Sequence, residues 1–192
     1  MKDKNAPEKK IILGIIGQIG SGKDTASDYL KDRYGASPHR FSTAMTDCLR
    51  RMGIPDTREN LIQFSEMTRK QFGENLYAKI IGTDCRNDPA KIVIAQGIRR
   101  PADIEELKKL ENFRLVHITA PAEIRYQRII RRGEKAGERD ITWEQFREQA
   151  KLPTEMSISE VADQADHVID NSGDIEDLYG KLDELMAKFL AE

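Results

Sequence analysis

The stretch GQIGSGKDT, Gly17 to Thr25, lies directly after the apolar run Ile11–Ile16 and directly before a segment with helical patterning that runs to about Tyr34. Glycines at 17, 20 and 22 allow a tight turn in conformations that carry a steric penalty for other residues. Such a turn can aim several backbone N–H groups at one point. The helix that begins near Lys23 adds the positive end of its dipole, and Lys23 adds a mobile point charge. A strand, a glycine-rich turn and a helix in this order form a cradle for phosphate. They also require a fold in which a buried strand ends beside a helix N-terminus.

The remaining pattern agrees with that requirement. A weaker extended piece lies around His39–Phe41. From Ser42 to about Asp84 the pattern is helical, with breaks near Gly53–Asp56 and Gly73, and apolar residues such as Leu61, Phe64, Ile80 and Ile81 recur at spacings of three and four. Lys91–Ala95 and Phe113–Thr119 read as strands, each followed by a helix, at Ala102–Leu110 and Ala122–Arg132. A polar loop at Gly133–Ile141 precedes two short helical pieces, Thr142–Lys151 and Ile158–Ala165. A last strand, His167–Ile169, leads into an amphipathic helix, Asp174–Leu190. Continuous apolar runs separated by helices, with the weaker piece at His39–Phe41 as a further strand, predict a five-stranded parallel sheet covered on both faces, a three-layer α/β/α domain.

The chain has 192 residues, 39% hydrophobic and 33% charged, enough for one domain with a real core. A formal charge of −2 argues against binding nucleic acid or an anionic membrane through bulk charge, so any basic site must be a local cluster. Cys48 and Cys85 suggest neither a disulfide framework nor a zinc site, and His39, His117 and His167 show no metal-site spacing. No apolar run approaches the roughly 20 residues of a membrane span. Residues 1–10 read as a polar tail, and the expected location is cytoplasmic. Trp143 reads as a packing residue.

The phosphate loop resembles those of P-loop NTPases. Its GK-x-T ending is similar to the nucleoside monophosphate kinase group, and GSGKDT to certain deoxynucleoside monophosphate kinases. The resemblance implies ATP as donor, cradled by Gly17, Ile19, Gly20, Ser21, Gly22, Lys23, Asp24 and Thr25. It also implies Mg2+ held largely by water and nucleotide phosphates, with Asp24 and Thr25 as its protein neighbours. GTPases and motor ATPases fit less well, because Asp24 stands where their metal-binding hydroxyl would be.

Two segments supply acceptor-side candidates. Arg40–Arg50 resembles the adenylate-kinase segment in which a Thr and a later Arg hold the acceptor phosphate, which points to Thr43 and Arg50, with Arg40 as a competitor. Arg50 and Arg51 also read as plain exposed helix charges. QGIRRP, Gln96 to Pro101, is similar to the DGIR segments of these kinases and of archaeal relatives of dephospho-CoA kinase, and by that match Arg99 grips the acceptor phosphate. Gln96 replaces the aspartate of the family pattern and can neither accept a proton nor bring charge; Asp24 and Asp47 are the candidate substitutes.

Ala120–Asp140 carries Arg125, Arg128, Arg131, Arg132 and Arg139 and resembles the lid of nucleotide kinases. The resemblance gives Arg128 and Arg132 catalytic roles over the transferred phosphoryl group, with Arg128 also on the nucleotide. Asn171, Ser172 and Gly173 match the adenine-contacting turn of dephospho-CoA kinases, though Ser172 or Asp174 reads equally as a helix cap. The expected layout is a single domain over 1–192, with a helical acceptor-binding region at about 42–88 and a lid at about 128–152. The expected partner is a small nucleotide-like substrate, for a monomer or homodimer. The resulting expectation is phosphoryl transfer from ATP to a nucleoside or deoxynucleoside monophosphate. The alternatives are a dephospho-CoA kinase and an ATP-binding regulatory module with little turnover.

Overall fold

The computed structural model describes residues 10–133 and 139–191. Five strands, β1 (Ile11–Ile16), β2 (Ser37–Arg40), β3 (Ile92–Gln96), β4 (Phe113–Thr119) and β5 (His167–Asp170), form one sheet in the order β2-β3-β1-β4-β5. All four pairings are parallel. The central strand β1 is buried along its whole length. Its alternate residues serve opposite faces: Ile12 and Ile16 enter one core cluster, Ile11, Leu13 and Ile15 the other. This two-sided burial is why the strand reads as an unbroken apolar run.

The helices supply the outer layers. On one face, α4 (Leu76–Asn87) contributes Tyr77, Ala78 and Ile81, α5 (Pro101–Leu107) contributes Ile104 and Leu107, and α8 (Pro153–Ala162) contributes Val161. On the other, α1 (Lys23–Tyr34) and α9 (Ile175–Ala191) bring Leu30, Leu178, Leu182 and Met186. Tyr29 and Tyr34 of α1 both donate to Asp183 Oδ1 of α9, at 2.8 and 2.7 Å, tying those two helices together. The remaining elements are α2 (Phe41–Arg51), α3 (Arg58–Phe72), α6 (Ala122–Arg132) and α7 (Trp143–Gln149). No helix among the described residues is long and apolar enough to cross a membrane. The expected five-stranded parallel sheet between helical layers is the observed fold.

Several boundaries differ from the sequence pattern, and each has a local reason. Strand β2 ends at Arg40 rather than Phe41, because Phe41 turns into α2 and into the core. Strand β3 extends to Gln96, which pairs with Arg40 of β2 and Ile15 of β1. Helix α8 begins at Pro153, five residues before the apolar signal at Ile158. Proline at the first helical position is a start signal that periodicity misses.

The strand order reverses about β1: its first crossover leads toward β3 and β2, the later one toward β4 and β5. A crevice therefore opens beyond the carboxyl ends of the strands, where open α/β sheets place their ligands. Gly17, Gly97, Ala120 and Asn171 follow β1, β3, β4 and β5 directly at this edge.

One buried ion pair organises the β3 side of the crevice. Arg69 of α3 meets Asp103 of α5 at 3.2 Å, and the two side chains are 6% and 1% exposed. Asp103 also accepts from the backbone N–H groups of Arg99 and Arg100, at 3.3 and 3.2 Å, so it fixes the turn that follows β3. Burial pushes the Asp103 carboxyl upward, and the Arg69 guanidinium works against that shift. Removing one partner of a buried pair leaves an uncompensated charge. Arg69→Ala should therefore destabilise the fold by roughly 3–5 kcal/mol in urea unfolding. The exposed pair Arg50–Asp56, 2.9 Å apart, is the control: Arg50→Ala should change stability by less than about 1 kcal/mol.

Candidate functional site

The glycine-rich loop turns through left-handed backbone at Gly20 (φ 79°) and Gly22 (φ 97°). Gly22 is the N-cap of α1 and makes no side-chain cap, so no cap side chain competes for the amides of the first helical turn. The loop's carbonyls are held from behind. Asn171, buried at the end of β5, donates its Nδ2 to Ser21 O at 2.8 Å. Arg125 of α6 donates Nη1 to Ile19 O at 3.2 Å and Nε to Ala120 O at 3.1 Å. These supports approach so closely that side chains are excluded. A Cβ on Gly20 would lie 2.6 Å from the Arg125 carbonyl oxygen, and one on Gly22 would lie 2.2 Å from Asn171 Nδ2. Ser21 is fully buried, and its Oγ finds no partner among the described residues.

Arg125 belongs to the segment that resembles a lid, and the structure places it elsewhere. It is buried, lies beneath the loop, and its guanidinium sits over the Phe146 ring, 5.4 Å from the centroid. Burial lowers its pKa, while the Glu155 and Glu123 carboxylates act in the opposite direction. The available signal was position: Arg125 stands four residues before the core residue Ile129 and so shares its buried face of α6.

Two cavities meet at the loop. One, of roughly 650 Å3, is lined by Gly22, Thr25, Arg128, Asn171, Ser172 and Gly173. Arg128 donates Nη2 to Gly173 O at 3.1 Å, while its Nη1 is buried with no partner among the described residues. Arg131 lines the same cavity. Asp174 accepts from Asp177 N at 2.9 Å and so caps α9, which leaves Ser172 exposed at the cavity wall. The second cavity, roughly 700 Å3, has Gly17, Ile19 and Lys23 on its loop side and Arg99 after β3. Arg58, which the sequence pattern did not single out, lines it as well. A cation at the first position of a helix opposes the helix dipole, and that misfit was the sequence signal.

A short polar chain runs from Lys23, on the wall of the second cavity. Asp24 has Lys23 Nζ at 3.8 Å and Arg40 Nη2 at 3.9 Å. Arg40 Nε donates to Gln96 Oε1 at 2.6 Å, and Gln96 Nε2 donates to Ser27 Oγ. Gln96 is therefore a neutral bridge that orients Arg40 toward Asp24. Thr43 and Arg50 are not brought to this centre. Both are exposed on α2 and line neither cavity, and Arg50 pairs with Asp56. Asp47 is also exposed on α2 and lines neither cavity. Arg132 is half-buried and lines neither cavity. Part of the expected lid, residues 134–138, lies outside the described residues.

Arg125→Met keeps most of the packing volume but removes both hydrogen bonds to the loop and its β4 junction. It should weaken binding of a fluorescent ATP analogue by about tenfold or more, because charged hydrogen bonds are worth roughly 1.5–3 kcal/mol each. Equilibrium titration against the parent protein checks this.

A UPF0200 protein of Sulfurisphaera tokodaii is 29% identical over 181 residues, covering 93% of this chain and 97% of the relative. Shikimate kinase from Bacteroides thetaiotaomicron superposes with a TM-score of 0.61 at 10% identity, covering 93% of this chain and 97% of that one. Shikimate kinase from Acinetobacter baumannii, in complex with shikimate, gives 0.55 at 16% identity, covering 96% and 95%. A family model described as an AAA domain, AAA_18, matches residues 13–152. The chain belongs to the AAA_18 family, and its fold is that of a P-loop kinase.

Proposed function

We propose that this protein transfers the γ-phosphoryl group of ATP to a small phosphate-bearing acceptor, of the nucleoside or deoxynucleoside monophosphate class. The observation that carries this reading is the phosphate loop set between two separate cavities, with Lys23 on the wall of one and Gly22 and Thr25 on the wall of the other. That arrangement suits a donor and an acceptor meeting in line over the loop.

The residues present fit the groups involved. The uncapped start of α1 and the carbonyl-anchored loop suit the β- and γ-phosphates of ATP, and the cavity beside Asn171, Ser172 and Gly173 suits its nucleoside. Magnesium retains several waters and takes one or two protein oxygens, which Asp24 and Thr25 can supply directly or through water. When bound, the ion would neutralise charge on the transferring phosphoryl group.

The chain's own residues then act by position and charge. Lys23 follows the phosphates, and Arg128 reaches over the nucleotide cavity, with Arg132 one turn further along α6. Arg99 and Arg58 face the acceptor cavity, and Arg40 stands beside Asp24 with its direction set by Gln96. Gln96 bears on which acceptor is suitable. A hydroxyl acceptor, as in dephospho-CoA kinase, gains from a carboxylate base, whereas a phosphate monoester is already largely ionised near pH 7 and attacks without one. A neutral amide at this position therefore favours the phosphate acceptor. In this reading the chain is one domain, residues 42–88 enclose the acceptor and residues 128–152 close over the reaction to exclude water.

The test is ADP release with Mg-ATP against nucleoside and deoxynucleoside monophosphates, dephospho-CoA and shikimate. Turnover with monophosphates is expected; turnover with dephospho-CoA or shikimate alone would overturn the reading. Lys23→Ala should lower kcat by about 10²-fold or more, the scale of losing one preorganised charge-stabilising donor. Arg99→Ala should raise the acceptor KM at least about tenfold while the ATP KM holds, since its guanidinium lies on the acceptor side.

A further inference from the structure

Glu155 is the third residue of α8, just past the proline that opens it, and its backbone N–H closes on Leu152 O at 2.8 Å. Its side chain lines the acceptor cavity together with the apolar walls Ile141, Leu152 and Ile158. Its Oε2 is buried and has no hydrogen-bond partner among the described residues. The Glu155 charge acts on Arg125 against the downward shift that burial imposes there, but no ion pair within 4 Å joins the two, and Arg125 Nε and Nη1 donate to backbone carbonyls. A carboxylate in the first turn of a helix is favoured by the helix dipole, which accounts for its charge. The dipole does not supply a donor to a buried oxygen. Buried polar atoms left unpaired are costly, and at ligand sites they mark the place of a ligand's partner group.

Building on the proposed phosphoryl transfer, we propose that Glu155 is a specificity-determining residue: its Oε2 accepts a hydrogen bond from an amino group on the acceptor. The acceptor cavity then has two chemically distinct parts. Arg99 and Arg58 provide cationic contacts for the acceptor's phosphate, and Glu155 provides an acceptor-only contact among apolar walls. A nucleobase with an exocyclic amine satisfies the carboxylate and lies against isoleucine and leucine. A base with a carbonyl at the same place sets two acceptor oxygens against each other, and a site built to accept a hydrogen bond discriminates strongly against such a partner.

The experiment uses two near-isosteric pairs, CMP against UMP and AMP against IMP, with the full chain and with Glu155→Gln. Phosphoryl transfer is read by ADP release, and binding by the fluorescence of Trp143, which stacks with Phe146 near the cavity wall. We expect the amino member of at least one pair to exceed its keto partner by at least about tenfold in kcat/KM. In Glu155→Gln, whose amide can donate as well as accept, that ratio should fall toward one while the ATP KM and melting temperature hold. A merely structural role for Glu155 would change stability or overall rate but leave the ratio intact, and that result overturns the proposal. Equal use of both members by the parent protein overturns it too, while leaving phosphoryl transfer to monophosphates standing. Failure of every monophosphate to bind or react, with ATP still bound, overturns both.

Discussion

The site depends on how the carbonyls of the phosphate loop are held. A loop can offer its N–H groups to an anion only if its carbonyls are satisfied elsewhere, since unpaired buried backbone groups are expensive. Here Asn171 takes the Ser21 carbonyl and Arg125 takes that of Ile19. The first anchor comes from the end of β5 and the second from α6, so the loop after β1 is braced by elements that follow both right-hand strands of the sheet. The glycines at 20 and 22 are as much a consequence of this bracing as of the turn itself, because a side chain at either would collide with the anchor.

The opposite side of the crevice is built on the same principle with different residues. Asp103, clamped by Arg69, holds the amides of Arg99 and Arg100, so a helix of the insertion determines where the turn after β3 points. Three residues before Arg99, Gln96 joins Arg40 to Ser27 across two strands and a helix. An aspartate there would carry a charge and compete for Arg40; the amide instead orients the guanidinium and leaves Asp24 as the carboxylate beside Lys23. In the proposed reaction the centre would rely on position and cationic charge rather than on proton abstraction.

The aromatic group behind the loop links these parts to the segment after α6. Trp143, Phe146 and Tyr126 pack together, and Phe146 supports the Arg125 guanidinium. The assignment of Trp143 to packing agrees with this. A displacement of α7 would therefore reach the phosphate loop through two contacts, from ring to guanidinium and from guanidinium to the Ile19 carbonyl.

The sequence by itself determined the strand–loop–helix cradle, the buried central strands and the approximate helices, because two-sided burial and glycine-dependent turns leave local, periodic signatures. It also brought Lys23, Arg99, Arg128 and Asn171 into consideration at positions that the fold gathers around one crevice. Only the tertiary structure separated residues of the same type. Arg125 and Arg128 share a helix three residues apart, yet one is buried beneath the loop and the other faces a cavity. Arg40 precedes α2 and Arg50 lies in its last turn, yet only Arg40 comes near Asp24, while Arg50 pairs with Asp56 in solvent. Asp103 and Glu155 both stand in the first turn of a helix, yet Asp103 is buried against Arg69 of a distant helix and Glu155 lines the second cavity. Local patterning reports which face of an element is apolar, whereas the partner of a charged side chain is chosen by elements distant in the chain, and that choice is made only when the layers pack.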